Sequence, residues 1–217
     1  RVVGNYQLAA KSHERSADIA KTAGDEKTAM ISRFCATVER VNQALVDDSN
    51  NVWTMLVEMR KIGDQLISSL EGMKEDSTAV RWLYFNVPVH RLISYFWAGQ
   101  RYDDLDDYRR LDELHIYDLE FDKSNKSSIA VTSAIHSWNR VDFKNAFVLA
   151  ADVIQGRFGP LLSPEYLATA HLILAQVALA RSEKAEQHFR AAVAIEGSAH
   201  QVRAIARRAL DLSAPQA

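Results

Sequence analysis

The sequence predicts an all-α protein, and three observations predict it. Apolar residues recur at steps of three and four through most of the chain. Alternation at period two is nowhere sustained. Eight glycines and four prolines in 217 residues are too few for the many turns of a β-sandwich. Hydrophobic residues are 47% and charged residues 25%, which suits a globular chain. A formal net charge of −2 gives no electrostatic reason to expect nucleic acid or an anionic membrane as a partner. The longest uncharged stretch, Tyr166 to Ala180, is shorter than the ~20 apolar residues of a membrane span. No signal-peptide pattern is visible. The single Cys35 excludes an internal disulfide and suits a reducing, cytoplasmic compartment.

Taken in order, Asn5 to Thr22 places Leu8, Ala9, Ser16, Ala17 and Ala20 at helical spacing, and Gly24-Asp25 breaks the run. Asp25 is the expected cap of a second helix whose face is Ala29, Met30, Phe34, Val38, Val41 and Leu45. A polar turn over 47–51, with Ser49 or Asn50 as cap, opens a third helix from Val52 to Leu70. Its face is Trp53, Leu56, Met59, Ile62, Leu66 and Leu70, and Gly72 ends it.

The fourth helix is the heaviest, since eight of the nineteen aromatics fall between Trp82 and Tyr108. Asp76 or Ser77 caps it, and apolar residues go nearly all the way round, which predicts burial between neighbours. Pro88 inside it predicts a kink, or a break near Asn86. A fifth helix over Tyr102–Leu114 has Leu105, Tyr108, Leu111 and Leu114 on one side and acids on the other. Glu120 to Ser128 reads as a polar loop. Helices six and seven are expected over Ile129–Trp138 and Phe143–Ile154. Ser163-Pro164 opens helix eight, to Ala180. Helix nine runs from a Ser182 cap to Ile195, with Glu183 and Glu186 in its first turn. Gly197 closes it, and helix ten runs from Ala199 to Leu212 before a frayed tail.

Several of these pairs share a spacing of small and aromatic residues. Gly4, Tyr6, Ala9, His13 and Ser16 follow it; so do Phe143, Ala146, Ala150 and Val153, and the later part recurs in Ala185, Phe189 and Ala192. Gly99 and Tyr102 repeat its start one residue late. The bends fall near residues 4, 100, 141 and 181, the last three about 40 residues apart. In this pattern the chain resembles the tetratricopeptide-like superfamily in its longer-repeat form, without the Trp at the start of the first helix or the closing Pro. The resemblance implies antiparallel helical hairpins stacked as a right-handed solenoid over a single domain, 1–217. It also implies a concave groove that binds a peptide, a partner protein or a neighbouring domain of the same polypeptide. Because the chain opens at Arg1 as if inside a repeat, a fragment of a longer protein is expected.

The residues expected to line that groove are Arg81, Tyr84, His90, Arg91 and Trp97 on the aromatic helix, because Tyr, Trp and Arg tend to dominate recognition surfaces. Trp82, Phe85, Ile93 and Phe96 are expected in the core. The alternative class is an all-helical magnesium-dependent enzyme. Asp103-Asp104-Leu105-Asp106-Asp107 matches a DDxxD pattern, and hard cations take several carboxylate oxygens. That chemistry needs a second acidic motif on a facing helix, and none is found. The flanking Arg101, Arg109 and Arg110 favour a solvated first helical turn. The seven histidines (His13, His90, His115, His136, His171, His188 and His200) have no metal-ligand spacing, and Cys35 lies on an apolar face. No Gly-rich phosphate loop or nucleophile motif is present. Asp103 to Asp122 holds nine acids against two arginines, and Arg181 to Arg208 six cations against three acids. Opposite potentials at two places on one chain could meet a partner of complementary charge. The expected function is thus a non-enzymatic interaction, scaffold or regulatory module, with no cofactor and no metal.

Overall fold

The computed structural model describes residues 5–71, 78–111, 126–158, 164–197 and 200–213. They pack as two compact units, Arg1–Gln100 and Arg101–Ala217. The first holds α1 (Tyr6–Thr22), α2 (Glu26–Val46), α3 (Val52–Glu71) and α4 (Thr78–Trp97). The second holds α5, described over 105–111, then α6 (Lys126–Asn139) and α7 (Phe143–Ile154). It continues with α8 (Pro164–Ala180), α9 (Glu186–Ala194) and α10 (His200–Ser213). Among the described residues there is no strand, so the all-α class holds.

Local chemistry starts and stops these helices. Asn5, Asp25 and Asp142 each accept, through Oδ1, the backbone N–H three residues on, at 2.9, 3.0 and 3.1 Å. The Thr28 N–H holds the Asp25 carboxyl below its ordinary range. The exits are more uniform still. After α1, α2, α4, α6, α7 and α8 one residue takes a left-handed conformation: Gly24, Asp48, Gly99, Val141, Gly156 and Ser182. The following N–H then reaches back to a carbonyl five residues earlier, as Asp25 to Ala20 (2.9 Å), Asp142 to Ser137 (2.9 Å) and Glu183 to Ala178 (2.8 Å). This satisfies carbonyls that the helix leaves open and reverses the chain within a few residues.

In the first unit α2 lies against α1, α3 and α4, and α3 against α4. The side of α1 that packs is Ala10, Ala17 and Ala20, small enough for a close approach to α2. Leu56, Met59, Leu66 and Leu70 of α3 are wholly buried, each contributing ~1.5–3 kcal/mol. The last seven residues of α4, from Arg91 to Trp97, are all buried, so the expected all-round burial is found there. In the second unit α8 is central. It touches α6, α7, α9 and α10 and buries nine residues between Ala168 and Ala178, which explains an apolar surface on every side. Helix α7 enters by Ala146, Ala150 and Val153.

Several expectations are corrected. Leu8, Ser16, Trp53 and Leu105, expected on apolar faces, are exposed. The buried stripe of α3 is centred on Leu56, Met59 and Leu66, and Trp53 stands about a quarter-turn from it. Pro88 sits inside an unbroken α4 instead of dividing it near Asn86. Ser182 does not cap α9; it is the left-handed exit of α8, and α9 starts at Glu186 behind Ala185. Helix α6 starts at Lys126, earlier than expected. The readings of Gly4, Gly72, Asp76, Ser77, Leu114, His115, 120–125, Ser163 and the tail lie outside the described residues.

Candidate functional site

Three of the five residues expected to line a groove, His90, Arg91 and Trp97, have described side chains, and two of those are buried. Arg91 is 0% exposed. Its Nη2 donates to the Asp64 carboxylate at 2.7 Å and to the Arg60 carbonyl, both on α3. The slot it occupies exists because residue 63 is glycine: a Cβ there would stand 2.5 Å from Nη2 and 2.8 Å from Nε of Arg91. Trp97 is buried as well. Both are therefore interior side chains, and the expectation that they face a partner is corrected. A buried cation is tolerated when a neighbouring helix offers a backbone carbonyl and a side-chain carboxylate. His90 is half-buried, its ring edge-on to Phe34 at 6.3 Å between centroids. The side chains of Arg81 and Tyr84, like those of Trp82 and Phe85, lie outside the described residues; Ile93 and Phe96 are in the core.

The acidic stretch at the start of α5 turns inward on itself. Asp104 Oδ1 accepts the N–H groups of Asp106 and Asp107, each at 3.1 Å, and so caps the helix. Asp106 pairs with Arg109 at 2.6 Å. Asp107, wholly buried, pairs with Arg110 at 2.9 Å and accepts the Tyr102 hydroxyl. The Tyr102 N–H donates to Asn139 Oδ1 at 3.1 Å, and the Tyr108 hydroxyl to the Tyr102 carbonyl. The Tyr108 ring stacks on His136, with centroids 4.4 Å apart. Burial, with Asp103 beside it, pushes the Tyr108 phenol up to about 12. Three of the four carboxylates are thus engaged in ordering the start of α5, while Tyr102 and Tyr108 join it to α6.

Among the described residues no group of three or more His, Cys, Asp and Glu side chains converges as metal ligands would. His171 of α8 and His188 of α9 are a pair, their rings 6.0 Å apart. Burial, then His188, takes His171 down to about 4; burial lowers His188 as well. Cys35 is half-buried.

What sequence reasoning missed is the outward side of the odd-numbered helices. Large apolar side chains stand exposed on α1 (Leu8, Ile19), α3 (Trp53, Val57), α5 (Leu105) and α7 (Phe147, Val148). Among the described side chains of the even helices such exposure is confined to Leu179 and Leu212, near the ends of α8 and α10. Trp53 is 57% exposed, with its ring edge on the buried Tyr95 at 6.2 Å between centroids. On α7, Phe147 and Val148 are 41% and 44% exposed, opposite the buried alanines. The signal was present. Once Ala146, Ala150 and Val153 are taken as the packed stripe, Phe147 and Val148 cannot share it. No helix of the described residues is long and apolar enough to cross a membrane. Compared with known proteins, the chain matches no family model, no curated protein and no solved structure.

Proposed function

We propose that this chain is a non-enzymatic interaction module of stacked helical hairpins, tetratricopeptide-like in arrangement, that binds a protein or peptide. The partner can be a neighbouring domain of the same polypeptide. The order of contacts within each unit supports the hairpin reading. Besides each helix meeting the next described in full, α2 touches α4, α6 touches α8, and α8 touches α10. An even layer that touches itself, with odd helices laid beside it, is what stacked antiparallel pairs produce.

The observation that carries the interaction reading is the exposure of large apolar side chains on odd helices whose other faces are packed. Exposed apolar residues that recur on one layer are costly to leave in water and mark interaction sites. Burying one such side chain against a partner contributes ~1.5–3 kcal/mol. We assign recognition to these outward ridges instead of to the α4 residues. The alternative, a metal-dependent enzyme at Asp103–Asp107, would need convergent carboxylates, whereas Asp104, Asp106 and Asp107 bond to their own helix and to Tyr102.

The test is selection of a displayed random-peptide library on the immobilised chain, followed by calorimetry of the enriched peptides. Peptides that bind and are weakened by Trp53→Ala or Phe147→Ala, with melting temperatures unchanged, support the reading. A library that yields no binder above an unrelated helical control overturns it.

A further inference from the structure

We propose that the outward ridge of α7, completed by Arg181 from the end of α8, docks a peptide segment of a protein partner in which carboxylates flank one large apolar side chain. This rests on the interaction-module reading and names the partner's chemistry. Lys144, Phe147 and Val148 lie within one turn of each other on the exposed side of α7. Arg181 is held over this ridge from two directions. Its Nη2 donates to the Phe143 carbonyl at 3.3 Å, and its guanidinium carbon stands 5.5 Å from the centre of the Phe147 ring. That placement occupies one donor of a five-donor fork.

Neither Lys144 nor Arg181 has a carboxylate partner among the described residues. The nearby acids are engaged: Asp142 caps α7 through Asn145, and Asp152 pairs with Arg157 at 2.8 Å. Glu183 and Lys184, which follow Arg181, offset each other. The ridge therefore presents two unmatched cations beside two exposed apolar side chains.

The complement of that surface is an apolar anchor with an acid on each side, one acid bound by the guanidinium fork and one by the ammonium. Two cations are fewer than the roughly four to eight that anionic membrane surfaces recruit.

The experiment titrates two fluorescent peptides, one with Glu and Asp around a central Leu and its twin with Gln and Asn, into the whole chain. The acidic peptide is expected to bind about tenfold tighter or more, less so as salt rises. Phe147→Ala and Lys144→Glu should each weaken it by about tenfold, with the thermal melt unchanged. Lys144→Glu is the safer charge variant, since Arg181 also touches backbone.

Equal binding of the twin, indifference to both variants, absence of binding, or binding only of phosphatidylserine vesicles would each overturn the proposal. Should library peptides bind without responding to Phe147→Ala or Lys144→Glu, the α7 site fails while the interaction module stands. An empty library removes both.

Discussion

Gly63→Ala tests the account of Arg91, because two effects of opposite sign compete at one site. In the interior of a helix, alanine in place of glycine stabilises by ~1 kcal/mol. Against this, the new Cβ would lie 2.5 to 2.9 Å from three atoms of the Arg91 guanidinium group. The group is wholly buried and bonded to Asp64 and to the Arg60 carbonyl, so it cannot yield without losing both. Hydrogen bonds to a charged group contribute ~1.5–3 kcal/mol, and the lower end applies because the Asp64 side chain is 59% exposed.

The net expectation is a loss of ~1–2 kcal/mol, a fall of roughly 2–8 °C in melting temperature for a chain of this size. The second arm removes the obstacle. In an Arg91→Leu background the same Gly63→Ala change should stabilise by ~1 kcal/mol, so the sign reverses and the double-mutant cycle shows coupling of ~2–3 kcal/mol. Thermal and urea melts followed by far-ultraviolet circular dichroism read all four proteins. A Gly63→Ala variant that melts higher than wild type, or the same sign of effect in both backgrounds, would refute the slot.

Three further outcomes follow from the same packing. Ala146→Glu, at a position with no exposure, should destabilise by ~3 kcal/mol or more through overpacking and a buried carboxyl, while Lys144→Gln on the exposed side stays within ~0.5 kcal/mol; equal urea midpoints would count against α7's packed stripe. Val141→Gly should raise stability by ~0.5–1 kcal/mol, since a β-branched residue there holds a left-handed conformation (φ 65°) while 49% exposed, and an unchanged or lowered melt would show another role for its side chain. His171→Leu should flatten the pH dependence of melting. The folded-state His171 sits at about 4 against an ordinary 6.5, so the unfolded chain takes up protons first. Wild-type stability should therefore fall as pH drops from 6.5 towards 4, and a variant with the same slope over that window would contradict it.

Much of the fold was legible because its signals are local. The expected bounds of α7, Phe143–Ile154, are the observed ones, and α8 opens at Pro164 as its first-position proline indicates. The bends expected near 100, 141 and 181 coincide with left-handed residues 99, 141 and 182. Where the reading failed, the deciding partner lay elsewhere in the chain or in the angle around a helix. Ser182 looked like a cap, yet the end of α8 needed a left-handed residue first and used the serine for it. Trp53 and Leu105 have the character of core residues and the wrong angular position. Arg91 and Trp97 have the character of recognition residues and are enclosed. Glycine 63 inside an otherwise strong helical pattern was the one available sign that something large approaches α3 closely.

The turns also explain why the repeat is faint at the level of residue types. The same left-handed exit recurs after six helices, filled by Gly, Asp, Gly, Val, Gly and Ser. A backbone geometry shared by these six turns cannot mark which turn lies inside a hairpin and which lies between hairpins. That distinction resides in the packing, where α8 is buried on all sides and α7 on one. Helix α8 is therefore constrained by its neighbours at nearly every position from Ala168 to Ala178. Helix α7 needs only the stripe of Ala146, Ala150 and Val153 inward, and its opposite face is free to vary. Among the described side chains, Trp53 and Phe147 stand on faces that packing leaves unconstrained, whereas Tyr95, Phe96 and Trp97 of α4 are enclosed, so the proposed recognition falls to the former.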